Sequence, residues 1–375
     1  MRIVQSNRFS LTLVSTLLLA GCLDISGSDD ATDDRSVGRL NFNGISGLTY
    51  QTQSQRGQVT ENGEFKYYPG ETLTFWVGDL KLADVVPAQE FVTLLEFLPE
   101  VRSQLTNIAP DSDGLSTHKI AEQQLLENNA QMNLNRFILA LNWNTSAAED
   151  EGLDIRDRVI EQLNEALPQV GGTIDFNVSQ GEFALDEDGE LSPANQLLGE
   201  ICFHPEDDER CETPPTQSEI DAAESRPIDE EEIEDDVLYK EDLQAKRDRI
   251  LGAIRSIDDI APRSAADFMT RELNDITTLI GNRYYLDAYV ANHPATDTAI
   301  KSLEIKRING SARISDLDAI STRTQDIVLH STSWQDAEVE YFVAGEPGGE
   351  SELILSFRPE DTYRWIRKQL RVVIE

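Results

Sequence analysis

Basic residues are the scarce class in this chain: 32 Lys and Arg face 69 Asp and Glu, a formal net charge of −37 over 375 residues. A surface so negative repels nucleic acid and anionic lipid headgroups, so no nucleic-acid partner is expected. Long apolar runs are missing after residue 21, and no later segment is fit to span a bilayer as a helix. Helical periodicity interrupts the strand-like stretches, which argues against a porin-type barrel. A membrane permease is thereby excluded. Histidine is sparse too, and His118, His204, His293 and His330 are scattered, each read as a surface or satisfied residue. There is no phosphate loop, no His-Glu-x-x-His and no dinucleotide fingerprint. Gly44-Ile45-Ser46-Gly47 has the wrong spacing for a nucleophile elbow. Asp and Glu are so numerous that no pair stands out as catalytic without geometry. The sequence assigns no catalytic, cofactor-binding or metal residue.

Cysteine is rarer still, at positions 22, 202 and 211. The first of these ends a three-part leader. Arg2 and Arg8 make a positive start, residues 9–20 are mostly apolar, and small residues precede Cys22. That layout is a secretory signal peptide over residues 1–21, too short for a stable span. Leu19-Ala20-Gly21-Cys22 resembles the lipobox of bacterial lipoproteins. The resemblance implies cleavage before Cys22, a diacylglycerol on its thiol and an acylated amine. Two or three acyl chains anchor a protein stably, whereas one does so only marginally. In that family an Asp directly after the Cys retains the protein in the inner membrane. Leu23 stands there instead, which implies sorting to the cell outer membrane, facing the periplasm or the surface.

Cys202 and Cys211 remain as a pair in an oxidising compartment, which favours a disulfide. Closing so short a loop contributes about 2–3 kcal/mol in the chain-entropy model. His204 lies between them, so a metal reading is open as well. It lacks a fourth ligand and matches no common zinc spacing.

Residues 22–38 are rich in Ser, Asp and Gly and read as a flexible tether. A β module follows. Leu48-Thr49-Tyr50-Gln51-Thr52 alternates, Asn62-Gly63 signals a hairpin between 58–60 and 64–67, and Pro69-Gly70 fits a type II turn. Leu73, Phe75 and Val77 alternate with more polar neighbours, and a short strand, 80–82, follows Gly78-Asp79.

Gly47-Leu48-Thr49-Tyr50, Gly57-Gln58-Val59-Thr60, Gly63-Glu64-Phe65-Lys66-Tyr67, Gly70-Glu71 and Phe75-Trp76-Val77-Gly78 resemble the opening module of a group of bacterial lipoproteins and secreted surface proteins. Some of that group carry an organic-solvent transporter permease label, which the missing spans contradict here. The likeness covers roughly residues 44–155. It continues through Asn133–Asn142 and Gly152-Leu153-Asp154-Ile155, with the group's acidic loop altered to residues 143–151. It implies a compartment more firmly than an activity.

Periodicity predicts a helix at 89–98 stopped by Pro99 and one with Leu134, Phe137, Ile138 and Leu141 on its buried face. A third is capped by Asp154, carries Val159, Ile160, Leu163 and Leu167, and is ended by Pro168. Strands are expected at 173–178 and 182–185. Asp111-Ser112-Asp113-Gly114 and Asp186-Glu187-Asp188-Gly189 lack the glycine of a calcium loop and read as Asx-type turns. Residues 213–238, with an acid run at 229–236, form the linker between domains at 39–212 and 239–375.

In the second half one helix stripe is Leu243, Ile250, Leu251, Ile254 and Ile257. Another is Met269, Leu273, Ile276 and Ile280, between a Ser264 cap and a Gly281 stop. A third helix is expected at 283–292, then strands at 302–308, 326–331, 337–343, 352–357 and 369–374. Pro347-Gly348-Gly349 is read as a hairpin loop. Arg364, Arg367, Lys368 and Arg371 gather near the C-terminus as a docking patch or a charged edge strand. The fold class is α+β: two domains, each an antiparallel sheet with helices mainly on one face. The functional expectation is a lipid-anchored cell-envelope protein, a non-enzymatic binding or structural module attached to the membrane, with an envelope protein or polysaccharide as partner. The alternatives are an accessory subunit of an envelope transport system and a carboxylate-dependent periplasmic hydrolase.

Overall fold

The computed structural model describes residues 34–144, 151–187, 190–228 and 237–375. It opens with eight short strands, β1 (Ser36–Leu40), β2 (Ile45–Ser46), β3 (Thr49–Gln51), β4 (Arg56–Gln58), β5 (Glu64–Tyr67), β6 (Thr72–Val77), β7 (Leu80–Pro87) and β8 (Phe91–Val92). β1 therefore begins inside the stretch read as tether. One sheet has the order β4-β3-β6-β7 and the other β5-β1-β8. Alternation orients β6: Leu73, Phe75 and Val77 are buried between more exposed neighbours. Two turns follow their chemistry. Gly70 takes a φ of +90° after Pro69, and the Glu71 N–H donates to Tyr68 O at 3.1 Å, closing a type II turn.

Asn62-Gly63 does make a tight turn, with Gly63 at φ +75°, but the strands it joins do not pair with each other. β4 pairs with β3, and β5 pairs with β1. The turn is held from outside: Leu40 N–H donates to Gly63 O at 2.8 Å. A Cβ on Gly63 would meet Gly44 Cα at 2.4 Å. Capture by β1 outweighs the local hairpin tendency.

The middle of the chain is helical, with small strand pairs between. It comprises α1 (Pro99–Arg102), β9 (Ala109–Pro110), β10 (Ser116–Thr117), α2 (Lys119–Leu126), α3 (Asn129–Ala140), β11 (Leu153–Asp154), α4 (Asp157–Ala166) and α5 (Gln180–Phe183). Then come β12 (Asp186–Glu187), β13 (Glu190–Leu191), α6 (Pro193–Gly199), α7 (Gln217–Ala222), α8 (Lys240–Leu251) and α9 (Pro262–Gly281). Leu134, Phe137, Ile138 and Leu141 are buried, as their spacing predicts. Pro99 starts a helix instead of stopping one, because a proline at the first helical position loses no hydrogen bond. The expected strand at 182–185 gives way to α5, whose Ser179 and Glu182 form a capping box. The expected α8 stripe is only partly buried: Ile250 within that helix and Ile257 beyond it are buried, while Leu251 and Ile254 are 41% and 43% exposed.

The last part is a β-sandwich, not one sheet backed by helices. Its strands are β14 (Tyr284–Leu286), β15 (Val290–His293), β16 (Lys301–Arg307), β17 (Ile314–Ser321), β18 (Ile327–Ser333), β19 (Glu338–Val343), β20 (Glu350–Pro359) and β21 (Ile366–Ile374). They form sheets ordered β14-β16-β19-β18 and β15-β21-β20-β17. Pairing is antiparallel except for β15 with β21, which run parallel. Leu303, Val339 and Tyr341 of one sheet share a core with Leu353, Phe357 and Val372 of the other. The helix expected at 283–292 is replaced by β14 and β15, in keeping with the β preference of tyrosine-rich segments. Pro347-Gly348-Gly349 links β19 to β20, which lie in different sheets, so it is a crossing loop and not a hairpin.

The architecture is thus mixed α and β, and Arg35–Glu375 is one compact unit with two hydrophobic cores. The cores meet along α9. Phe268, Met269 and Leu273 belong to the first, and Ile276 and Ile280 to the second. Glu272, on the same helix, accepts from Phe42 N–H at 2.6 Å, Asn43 N–H at 3.0 Å and Asn43 Nδ2 at 2.8 Å. That carboxylate ties the loop after β1 to α9.

Candidate functional site

The loop between β20 and β21 carries Asp361, Thr362, Tyr363, Arg364 and Trp365 into the space between the first β module and the sandwich. It helps form a cleft of about 470 Å³, whose lining includes Tyr67, Glu90, Phe91, Arg283, Tyr284, Arg307, Glu360, Asp361 and Arg364. This volume lies within the roughly 300–1,000 Å³ typical of small-molecule sites. Tyr67 pairs across the sheet with Ser36, the first residue of β1, so the cleft lies beside the point where the chain enters the fold.

Two arginines at the cleft are held by acids. Arg283 grips Glu90 with both ends of its fork, at 2.7 and 2.5 Å, and these bonds raise its pKa. Arg307 Nη2 stands 4.0 Å from Asp361 Oδ2, with its guanidinium 5.6 Å from the centre of the Tyr284 ring. Burial, then the nearby Glu90, pushes the Tyr67 hydroxyl up. Tyr284 is likewise raised, chiefly by burial.

Arg364 differs from both. It is only 1% exposed, yet Nε and Nη2 have no hydrogen-bond partner among the described residues. Glu122 Oε1 is 3.9 Å from Nε, beyond hydrogen-bonding reach. Desolvation works against the Arg364 charge, but Tyr363, Glu122 and Glu96 outweigh it and hold the pKa above its ordinary value. Both acids are engaged elsewhere. Tyr363 donates to Glu122 Oε1 at 2.7 Å. Glu96 accepts from Gln89 Nε2 at 2.8 Å and Thr93 N–H at 2.7 Å, as well as from the Thr93 hydroxyl. Burial raises the pKa of each carboxylate, against the pull of Arg364.

His118, before α2, completes this buried group. It is 1% exposed, and its Nε2 lies 3.7 Å from Glu122 Oε2. Burial, then Arg364 and Lys119, lowers its pKa to about 3. The ring is neutral at physiological pH.

The C-terminal basic group does not form a free patch. Arg364 is buried, Arg367 pairs with Asp111 and Asp113, and Arg371 donates to Glu350 at 3.2 Å. Burial lowers the Lys368 pKa. Asp111 is also an Asx turn: its Oδ1 accepts from Asp113 N–H at 2.9 Å and Leu115 N–H at 3.1 Å. No group of three or more His, Cys, Asp or Glu is placed to hold a metal among the described residues.

Cys202 and Cys211 are joined by a disulfide, with Cα atoms 5.4 Å apart. Arg249 and Lys246 of α8 pair with Glu209 and Glu212 around that loop. His293 Nε2 lies 3.0 Å from the Tyr341 hydroxyl. Cys22 and the acid run at 229–236 lie outside the described residues. Nothing in the sequence pattern singled out the cleft. The one local signal nearby was the spacing of Thr93 and Glu96, which is that of a capping box.

No family model matches the chain. A stretch of 59 residues is 39% identical to the "Putative lipoprotein AcfD homolog" of Escherichia coli (strain K12). The match takes in 16% of this chain and 4% of that protein, so the chain spans only a small fraction of the relative's length. The crystal structure of domains 4 and 5 of the S-layer protein SbsC aligns with 24% of this chain and 50% of its own, at 12% identity and a TM-score of 0.19. A likeness that slight carries no argument about the fold. Among the described residues no helix is long and apolar enough to cross a membrane.

Proposed function

We propose that the chain is an outer-membrane lipoprotein, anchored through Cys22, whose folded part is a non-enzymatic binding module for an envelope component. The reading rests on Leu19-Ala20-Gly21-Cys22, supported by the short match to a lipoprotein. The cleft beside Ser36 is the binding site. The carboxylates with raised pKa, Glu96, Glu122 and Glu272, are all buried and bonded within the fold, which supports a non-enzymatic reading.

The test is Cys22→Ser. Envelope fractionation and intact mass compare this variant with the unaltered protein. The expected outcome is loss of the acyl mass and release from the membrane fraction. A variant that stays membrane-bound at unchanged mass overturns the anchored reading. A pull-down of the intact protein from solubilised envelopes then tests the alternatives. One stoichiometric partner supports the accessory-subunit reading and weakens the hydrolase.

A further inference from the structure

Asn is followed directly by Gly at three places, 43–44, 62–63 and 309–310. Glycine has no Cβ to keep its backbone nitrogen away from the preceding Asn side chain, so these pairs are the ones most open to ring closure. The fold treats the three unequally. Asn43 is pinned, its N–H and Nδ2 donating to the Glu272 carboxylate at 3.0 and 2.8 Å. Gly44 is buried, and a Cβ on it would meet Asn62 C at 2.7 Å. Gly63 is buried too, and its N–H, the attacking group at that pair, donates to Thr60 O at 2.8 Å. Neither Asn43 nor Asn62 can swing onto the next nitrogen without opening the junction of β1, β2 and β5.

The third pair lies in the turn between β16 and β17. Ile308, Asn309, Gly310 and Ser311 are all exposed. Asn309 takes a φ of +58°. Among the described residues, no atom lies within 4 Å of a Cβ built on Gly310. An isolated bridge between Arg307 and Gly310 closes the turn. Exposed tips of this kind open at little cost in free energy.

We propose that Asn309 is a site of spontaneous deamidation and that the fold protects Asn43 and Asn62 from the same reaction. The Gly310 nitrogen attacks Asn309 Cγ. A bond forms between them, and the bond from Cγ to Nδ2 breaks. The Gly310 amide proton leaves with the side-chain nitrogen as ammonia, and a succinimide remains. Water then opens that ring at either carbonyl and leaves aspartate or isoaspartate at position 309. Each event adds a negative charge to the turn, and the isoaspartyl product carries its backbone through the former side chain.

The experiment incubates the full chain at mildly alkaline pH, folded in one arm and unfolded in urea in the other. Peptide mapping by mass spectrometry follows the three pairs, and isoaspartyl carboxylates are counted by enzymatic methylation with a labelled methyl donor. In the folded chain, conversion at Asn309 is expected to run at least about tenfold ahead of that at Asn43 and Asn62, the equivalent of about 1.4 kcal/mol of local opening. In urea the three rates are expected to converge. Asn309→Gln is expected to remove most of the methylation signal. Gly310→Ala, whose added Cβ meets open space in the fold, is expected to lose most of it as well while keeping Asn309. Conversion at Asn43 or Asn62 that matches or exceeds Asn309 in the folded chain overturns the proposal. So does an intact Asn309 after a time in which the unfolded chain is converted there. A tenfold lead of Asn309 that persists in urea also overturns it, because the fold would then protect nothing.

Discussion

Trp365 donates its backbone N–H to His118 Nδ1 at 2.9 Å, across 247 positions of sequence. With Nδ1 an acceptor, the proton of the neutral ring sits on Nε2, which lies 3.3 Å from Thr277 Oγ1. The Thr277 hydroxyl donates to Leu273 O at 2.9 Å, so its oxygen is left to accept from the ring. One neutral imidazole thereby joins α2, α9 and the loop before β21.

That bond makes the fold sensitive to acid. The His118 pKa is about 3 when folded, against an ordinary 6.5, so the unfolded chain binds more protons between those values. Stability rises with pH wherever the unfolded state binds more protons. The contribution is complete above 6.5 and is lost as pH falls toward 3. At about 1.4 kcal/mol for each pH unit between the folded and unfolded values, a few kcal/mol are at stake. Glu96 and Glu122 act in the opposite sense. Their raised pKa values give stability that is complete at low pH and lost as pH rises through the folded values. His118→Gln keeps both carboxylates and an acceptor for Trp365, so comparison isolates the imidazole. The urea midpoint of the unaltered protein should fall more between pH 7 and pH 5 than that of His118→Gln. Equal falls would show that His118 does not titrate with unfolding.

Glu272 offers a sharper structural test. Its carboxylate accepts three N–H groups from Phe42 and Asn43. In Glu272→Gln one acceptor oxygen becomes a donor and faces an N–H. The expected loss is about 1–3 kcal/mol, the cost of a buried unpaired donor, read from urea unfolding at pH 7. A loss below about 0.5 kcal/mol, the low end for a single hydrogen bond, would mean that the loop after β1 is not held by α9.

The disulfide should matter moderately. Replacing both Cys202 and Cys211 with Ser removes a constraint on the unfolded chain worth about 2–3 kcal/mol. Arg249–Glu209 and Lys246–Glu212 still tie the loop to α8 in that variant. The thermal midpoint should drop while the far-ultraviolet spectrum of the sandwich strands persists. An unchanged midpoint would show that the ionic ties alone fix the loop.

Local chemistry made much of the fold legible. The spacing of Leu134, Phe137 and Ile138 announced α3, and alternation around Phe75 announced β6. Pro69-Gly70 gave its own turn, because the required φ is set by the residues themselves. Misreadings arose where distant partners decide. Asn62-Gly63 turns the chain but leaves open which strands pair, and β1 captures β5. Residues 283–292, expected as a helix, pair instead with β16 and β21 far along the chain. The cleft was illegible for the same reason. Glu90 meets Arg283 across 193 positions, and Tyr363 meets Glu122 across 241. In sequence Arg364 is one of four nearby basic residues, and only the packing around it separates it from Arg367 and Arg371.

α9 gives its N-terminal turns to one hydrophobic interior and its C-terminal turns to the other. A rod held in common cannot be withdrawn from one side alone. Melting either interior strips part of the cover from its neighbour, so heating should produce one cooperative transition and not two. A protease that needs a half-open intermediate would then find little to cut until the whole body has come apart.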